Sequence, residues 1–145
     1  MADCLFCGIV AGSVPAFRVV DHPSGVGFLD IRPVFKGHVL VVPRPHVPEL
    51  VGLPPDLLPG FFALVQSVST AVPAALGAKG TFVAMNNVVS QSVPHLHAHV
   101  VPRTKGDGLR GFFWPRTKYA SDDEAASYAE RIGKEVADPG VTPAG

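Results

Sequence analysis

Residues 92–102 read Ser92-Val93-Pro94-His95-Leu96-His97-Ala98-His99-Val100-Val101-Pro102, and they hold three of the chain's six histidines. A period of two is that of a β-strand, so the three imidazoles are expected on one face, with Leu96, Ala98 and Val100 on the other. At a rise of about 3.3 Å per residue, neighbouring rings should stand roughly 6–7 Å apart. A single strand histidine is ordinarily a satisfied polar residue. Three in strict alternation beside Gln91 and Ser92 are too costly for a plain core strand, and they suit a metal or a phosphate. Two chemistries stay open at this point. The imidazoles could hold zinc with an open position for water, giving a metal-dependent hydrolase. Alternatively, an imidazole with a pKa of about 6.5 is mostly neutral at pH 7 and can attack phosphorus through its lone pair. That attack forms a covalent phosphoramidate, while neighbouring donors hold the phosphate oxygens. Gln91, Ser92 and the backbone before the strand are placed to supply such donors.

The rest of the chain narrows the setting. Its 145 residues suffice for one domain with a real core. Lys plus Arg and Asp plus Glu both number 12, so the net charge is zero and only 17% of residues are charged. That balance argues against a nucleic acid polymer as partner, though not against a small anionic ligand. Met1-Ala-Asp-Cys-Leu-Phe-Cys lacks the basic start and apolar run of a secretory signal, and the longest apolar stretches are broken before they reach a membrane span. A cytoplasmic location with no membrane contact is expected. Thiols stay reduced there, so Cys4 and Cys7 read as a metal clip or a redox pair rather than a structural disulfide.

Pattern and punctuation predict a short helix over 5–12, strands over 17–21, 26–30 and 38–43, and a long helix over 56–76 with Asp56 as N-cap. Pro73 predicts a kink or early end to that helix. A strand over 81–85 and a polar loop over 86–94 lead into the histidine strand. Ser121-Asp-Asp-Glu124 has the form of a capping box, opening a last helix towards Val136. One α+β domain over 1–137 is expected, built on an antiparallel sheet of about five strands with its helices on one side. The Pro/Gly-rich tail 138–145 is expected to be flexible.

These residues resemble a known family. His95-Leu-His-Ala-His-Val-Val is similar to the signature of the histidine triad (HIT) nucleotide hydrolases and transferases. Cys4-Leu-Phe-Cys-Gly-Ile-Val, Phe28-Leu-Asp-Ile-Arg-Pro, Gly37-His-Val-Leu-Val-Val-Pro-Arg-Pro-His46 and Gln91-Ser-Val-Pro resemble further family segments in the same order, over about residues 3–103. The resemblance implies a HIT-like fold, a two-fold homodimer, and hydrolysis or transfer of a purine nucleotide (an AMP or GMP moiety) from nucleoside 5′-phosphoramidates or dinucleoside polyphosphates. It implies that His97 is the nucleophile and that His99 binds the phosphate. His95 would orient the site, with Ser92 and Gln91 as phosphate or leaving-group contacts. Asn86 would reach the substrate, Asp30 would bind the ribose hydroxyls, and Phe6, Ile9, Phe28 and Ile31 would line the base pocket. Resemblance to a bacterial subset implies structural zinc on Cys4, Cys7, His46 and His95, with no catalytic cofactor. His38 matches a supporting histidine near the triad. His22, in a turn, is expected to be exposed, and Trp114 is expected either in the core or near a partner's site. Ser90 stands where relatives carry glycine, which is expected to limit positive φ in the phosphate loop. Besides the metal-hydrolase reading, a nucleotide-binding module with vestigial activity is the remaining alternative.

Overall fold

The structure is a computed structural model, and it describes residues 3–110, 116–137 and 139. Trp114 and nearly all of the tail 138–145 lie outside the described residues. Two compact units are present, residues 1–105 and 106–145.

In the first unit, helix α1 (Leu5–Ala11) is followed by strands β1 (Arg18–His22), β2 (Gly25–Leu29) and β3 (Val39–Val42), helix α2 (Leu58–Leu76), and strands β4 (Gly80–Ala84) and β5 (Ala98–Arg103). The strands form one five-stranded sheet in the order β1-β2-β3-β5-β4, antiparallel throughout. The expected strand number and pairing sense are therefore observed.

The layering differs from expectation. All four residues of β3 are buried, and they divide by alternation between two clusters. Val39 and Val41 join Phe61, Leu64, Val65, Val68 and Val72 of α2. Leu40 and Val42 join Val26, Phe28 and the α1 residues Phe6 and Ile9. Helices thus cover both faces, because α1 is short but carries two large apolar residues on its inner side, one helical turn apart. Continuously apolar β3 is the mark of a strand buried on both sides.

Helix α2 also departs from the expected outline. A 3₁₀ turn over Pro55–Leu57 precedes it, its N-cap is Leu57, and no side chain caps it. It runs through Pro73 to Leu76 and ends on Gly77 in the left-handed conformation. Pro73 sits in the last turn, where its missing N–H costs the helical bond to the Ser69 carbonyl without ending the helix. The stretch Pro55–Leu76 is long and apolar enough to cross a membrane by length and composition. Its inner face is nevertheless the core surface on which β3 and β5 pack.

In the second unit, helix α3 (Asp122–Glu135) starts at the predicted N-cap Ser121, though the return bond of the capping box reaches the residue before it. Ser121 accepts the Glu124 backbone N–H at 3.1 Å, and the Glu124 carboxylate accepts the Ala120 backbone N–H at 2.9 Å. None of its residues is buried.

Candidate active site

The central strands carry the histidines. His99 lies in β5, opposite Leu40 of β3 and Ala84 of β4. His97 immediately precedes the strand and His95 lies in a bend, so the segment is less extended than its spacing predicts. His95 N donates to Val93 O at 2.8 Å and Leu96 N to Val47 O at 2.7 Å, which ties the bend to the loop beyond β3. As a result the rings part company. Those of His97 and His99 stand 4.9 Å apart, closer than a flat strand would place them. The His95 ring is fully buried beside Cys4, Cys7 and His46, and Phe6 lies edge-on to both His95 and His97.

Hydrogen bonds assign the protons. His97 Nδ1 lies 2.7 Å from the backbone carbonyl of His95, so it carries the hydrogen, and Nε2 keeps its lone pair. His99 is set the opposite way. The Val34 backbone N–H donates to His38 Nδ1 at 3.1 Å, so the His38 proton must reside on Nε2. That nitrogen lies 2.9 Å from His99 Nδ1 and donates to it. The remaining His99 proton is then on Nε2. Two imidazoles, one offering a lone pair and the other an N–H, stand side by side.

Burial favours the neutral forms of His99 and His38. His99 is pushed down to about 4 by burial first, then by His97 and His38, against a smaller opposing pull from Asp30. His38 is lowered by burial too, with Asp30 opposing and His97 adding to the effect.

Both rings line a cavity of about 350 Å³. Phe6, Ile9, Phe28 and Leu40 form apolar walls, and Asp30 and Ser92 add polar groups. Ile31 lines it as well but is 81% exposed, which places it at the rim. Asp30 Oδ1 accepts the Arg32 backbone N–H at 2.8 Å.

Asn86 and Gln91 are not among the cavity's described lining residues. Asn86 Nδ2 donates to Ser90 O at 3.3 Å, and Gln91 Nε2 donates to Pro48 O. Both amide nitrogens are bonded to loop carbonyls. That loop also corrects the expectation about Ser90. Val88 and Ser90 adopt φ of 69° and 62° despite their side chains. Each positive φ costs about 1–3 kcal/mol, in a loop anchored by the β4–β5 pairing and by the bond from Leu50 N to Asn87 Oδ1. His22 is exposed. Its Nδ1 accepts the Ser24 N–H at 3.1 Å, closing the β1–β2 turn.

Sequence reading missed Leu40, Val93 and the Val34 amide. Leu40 was legible, because alternation in β3 puts it on the face opposite Val39. A backbone N–H aimed at a ring leaves no trace in the sequence.

Behind the histidines, Cys4, Cys7, His46 and His95 form a group that can hold a metal ion. Cys7 Sγ lies 3.3 Å from His46 Nδ1, and both Sγ atoms lie 3.5 Å from His95 Nδ1. Tetrahedral bonds of about 2.3 Å to sulfur and 2.0 Å to nitrogen imply a sulfur–nitrogen separation of about 3.5 Å, so the spacing fits. His95 Nε2 donates to the Pro43 carbonyl at 3.0 Å, which leaves Nδ1 as a lone pair facing the thiols. Burial and the adjacent Cys4 thiol raise Cys7, a cost that a cation would reverse. Asp30, His38 and His99 also lie close together, but there the facing nitrogens are already joined by a hydrogen bond.

Comparison with known proteins places this geometry. The HIT domain model matches residues 11–106. The crystal structure of a HIT family member from Bacillus subtilis is 30% identical, with a TM-score of 0.84 over 94% of this chain and 99% of that one. A zinc-bound histidine triad family protein from Mycobacterium smegmatis is 35% identical, with a TM-score of 0.71 over 92% of this chain and 99% of that one. Among curated relatives, an adenosine 5′-monophosphoramidase of Candida albicans is 29% identical over 143 residues, covering 94% of this chain and 93% of its own.

The buried histidines generate a pH dependence with a definite sign. His38 and His99 bind protons less readily folded than unfolded, where the value is about 6.5. Their stabilising contribution is complete above about pH 6.5 and is lost as pH falls, for His99 down to about pH 4. Urea unfolding between pH 7.5 and 4.5 should show stability falling by up to about 1.4 kcal/mol per unit for each histidine. The decline should be shallower in His99→Asn.

Proposed function

The chain belongs to the HIT family, and on that premise we propose that it transfers or hydrolyses a nucleoside 5′-monophosphate through a covalent nucleotidyl-histidine on His97. The substrates would be nucleoside 5′-phosphoramidates or dinucleoside polyphosphates carrying AMP or GMP. One observation carries this reading: two imidazoles of opposite tautomer, His97 and His99, face the same cavity. The apolar walls formed by Phe6, Ile9 and Phe28 suit a purine. Asp30 is available to the ribose hydroxyls. Ser92 and the His99 Nε2–H are available to the α-phosphate oxygens, whose charge grows in the transition state. The His95 carbonyl holds the His97 proton away from the cavity and receives the positive charge that Nδ1–H gains on attack. Gln91 and Asn86 act by bracing the loop that presents Ser92.

The metal-hydrolase alternative fits less well, because of how the rings are turned. His95 directs one nitrogen at Pro43 and the other at the thiols, so it cannot join His97 and His99 on one ion. His97→Ala should lower kcat by at least about 10³-fold and abolish the labelled AMP adduct seen on acid-quenched wild-type protein. Unchanged turnover in that variant would leave the binding-module alternative standing.

Structural zinc belongs on Cys4, Cys7, His46 and His95. A closed set of four protein ligands supplies a fixed anchor and no reactive water. Elemental analysis should give about one zinc per chain. Cys4→Ser should lose the metal and lower the melting temperature, whereas metal-free protein of full stability would overturn the assignment.

A two-fold homodimer is the assembly that suits this surface. β4 is an edge strand whose Val83 is 43% exposed. Leu58–Leu76 contains no charged residue, so the outer face of α2, with Phe62 and Leu76 exposed, is poorly suited to water. Sedimentation equilibrium should give twice the chain mass, and Val83→Asp should shift it to monomer.

A further inference from the structure

Cys4 and Cys7 are close enough for chemistry of their own. Two residues separate them, and neither is in a disulfide. Their sulfurs lie within 4.8 Å of one another, and each stands 3.5 Å from His95 Nδ1. A disulfide needs a sulfur separation of about 2.05 Å, so one side chain has to swing for the bond to form. Cys4 can make that movement without unwinding α1. It is the N-cap, outside the helix, with extended backbone angles. Cys7 lies in the first turn, and its backbone N–H points at Cys4 Sγ at 3.4 Å.

Cys4 also faces an opening. A second cavity, of about 410 Å³, is lined by Asp3, Cys4, Leu5, His46 and Pro94 among others. Cys7 is not among its described lining residues. The two sulfurs therefore differ: Cys4 is presented to a space that a small molecule can enter, and Cys7 stands behind it. Asp3 is the one acidic or basic side chain among the described lining residues, apart from the ligands Cys4 and His46. Its carboxylate favours a neutral reagent over an anionic one.

The pair is joined to the histidine cavity by two routes. Leu5 and Phe6, the residues between the cysteines, line the cavity that His97 and His99 face. The Phe6 ring stands edge-on to His97, with ring centres 5.1 Å apart. Drawing the sulfurs together therefore moves that wall. His95 meets the same sulfurs through Nδ1, and its carbonyl accepts the His97 Nδ1 proton.

We propose that Cys4 and Cys7 are an oxidant-responsive pair, in which hydrogen peroxide entering at Cys4 converts the metal site to a disulfide and disables the histidine cavity. The proposal rests on the zinc assignment above. The Cys4 thiolate attacks one peroxide oxygen, the oxygen–oxygen bond breaks, and the displaced hydroxide takes a proton to become water. Cys4 is then a sulfenic acid. The Cys7 thiolate attacks the Cys4 sulfur, the sulfur–oxygen bond breaks, and the second hydroxide takes a proton as well. Two electrons pass from the sulfur pair to the peroxide, which ends as two waters. A disulfide offers no anionic sulfur, which leaves His46 and His95 as ligands, too few to hold the metal. A thiol reductant returns both electrons and restores the ligand set.

The test treats the metal-loaded full chain with hydrogen peroxide. It follows bound zinc, the Cys4–Cys7 linkage by peptide mass, AMP affinity, and turnover of an adenosine phosphoramidate. Zinc release and disulfide formation should advance together, at about one zinc per disulfide. Dimedone present during the reaction should label Cys4 and not Cys7. AMP affinity and turnover should each fall by about 10-fold or more, the usual loss when the support behind a functional group is removed. Dithiothreitol with zinc should restore both. Zinc retained at peroxide concentrations that oxidise the thiols of metal-stripped protein would overturn the proposal. So would dimedone on Cys7, sulfinic or sulfonic acid on Cys4 with no disulfide, or a disulfide that leaves AMP affinity and turnover unchanged. Protein that contains no zinc before treatment defeats the metal assignment instead, and the linkage with its effect on AMP affinity then decides the proposal alone.

Discussion

The hydrogen bond from His97 Nδ1 to the carbonyl of His95 is the contact on which the site depends. It spans two residues, yet it fixes which nitrogen of His97 is free. Its acceptor belongs to a residue held on every side. The His95 ring bonds Pro43 through one nitrogen and meets Cys4 and Cys7 through the other, and its backbone is bound to Val93. A carbonyl aimed by that many constraints loses little freedom when it orients a neighbour, which is why a buried cluster can govern chemistry it does not touch.

The two cavity-facing rings are set from different parts of the chain. His97 takes its tautomer from the bend before β5. His99 takes its own from His38, which takes it from the Val34 amide in the turn before β3. The β3–β5 pairing, with Leu40 opposite His99, brings these chains of bonds together. A slip of one residue in that register would turn His99 into the α2 core and Val100 towards the cavity. Burial of Val39, Val41, Ala98 and Val100 against α2 is what makes such a slip expensive. Packing on one face of the sheet therefore protects the chemistry on the other.

Much of this was legible in the sequence. The spacing of His95, His97 and His99 identifies their segment, and Leu96, Ala98 and Val100 do face the core. Ser121 and Glu124 mark the start of α3 because capping is a local interaction between near neighbours. The misses are of another kind. Whether helices cover one or both faces of the sheet depends on where Phe6 and Ile9 dock, which is a tertiary choice. Pro73 reads as a breaker by propensity, yet the helix runs through it, with Val72 beside it packed in the core. The positive φ of Val88 and Ser90 is likewise set by the fold and not by local preference.

The positive φ of Val88 and Ser90 belongs to the same logic of constraint. Glycine would adopt these angles without cost, so a β-branched residue at one of them raises the energy of the loop. The loop keeps its shape because its ends are held by the β4–β5 pairing and its middle by Asn87 and Gln91, each bonded to the segment 48–50. Strain held this way resists relaxation: changing one torsion would require breaking a bond elsewhere. The stiffness has a cost in stability and a consequence for the site. Ser92 lies just beyond the strained stretch and lines the cavity, so its hydroxyl is presented by a loop with few alternatives rather than by one that must order around the substrate.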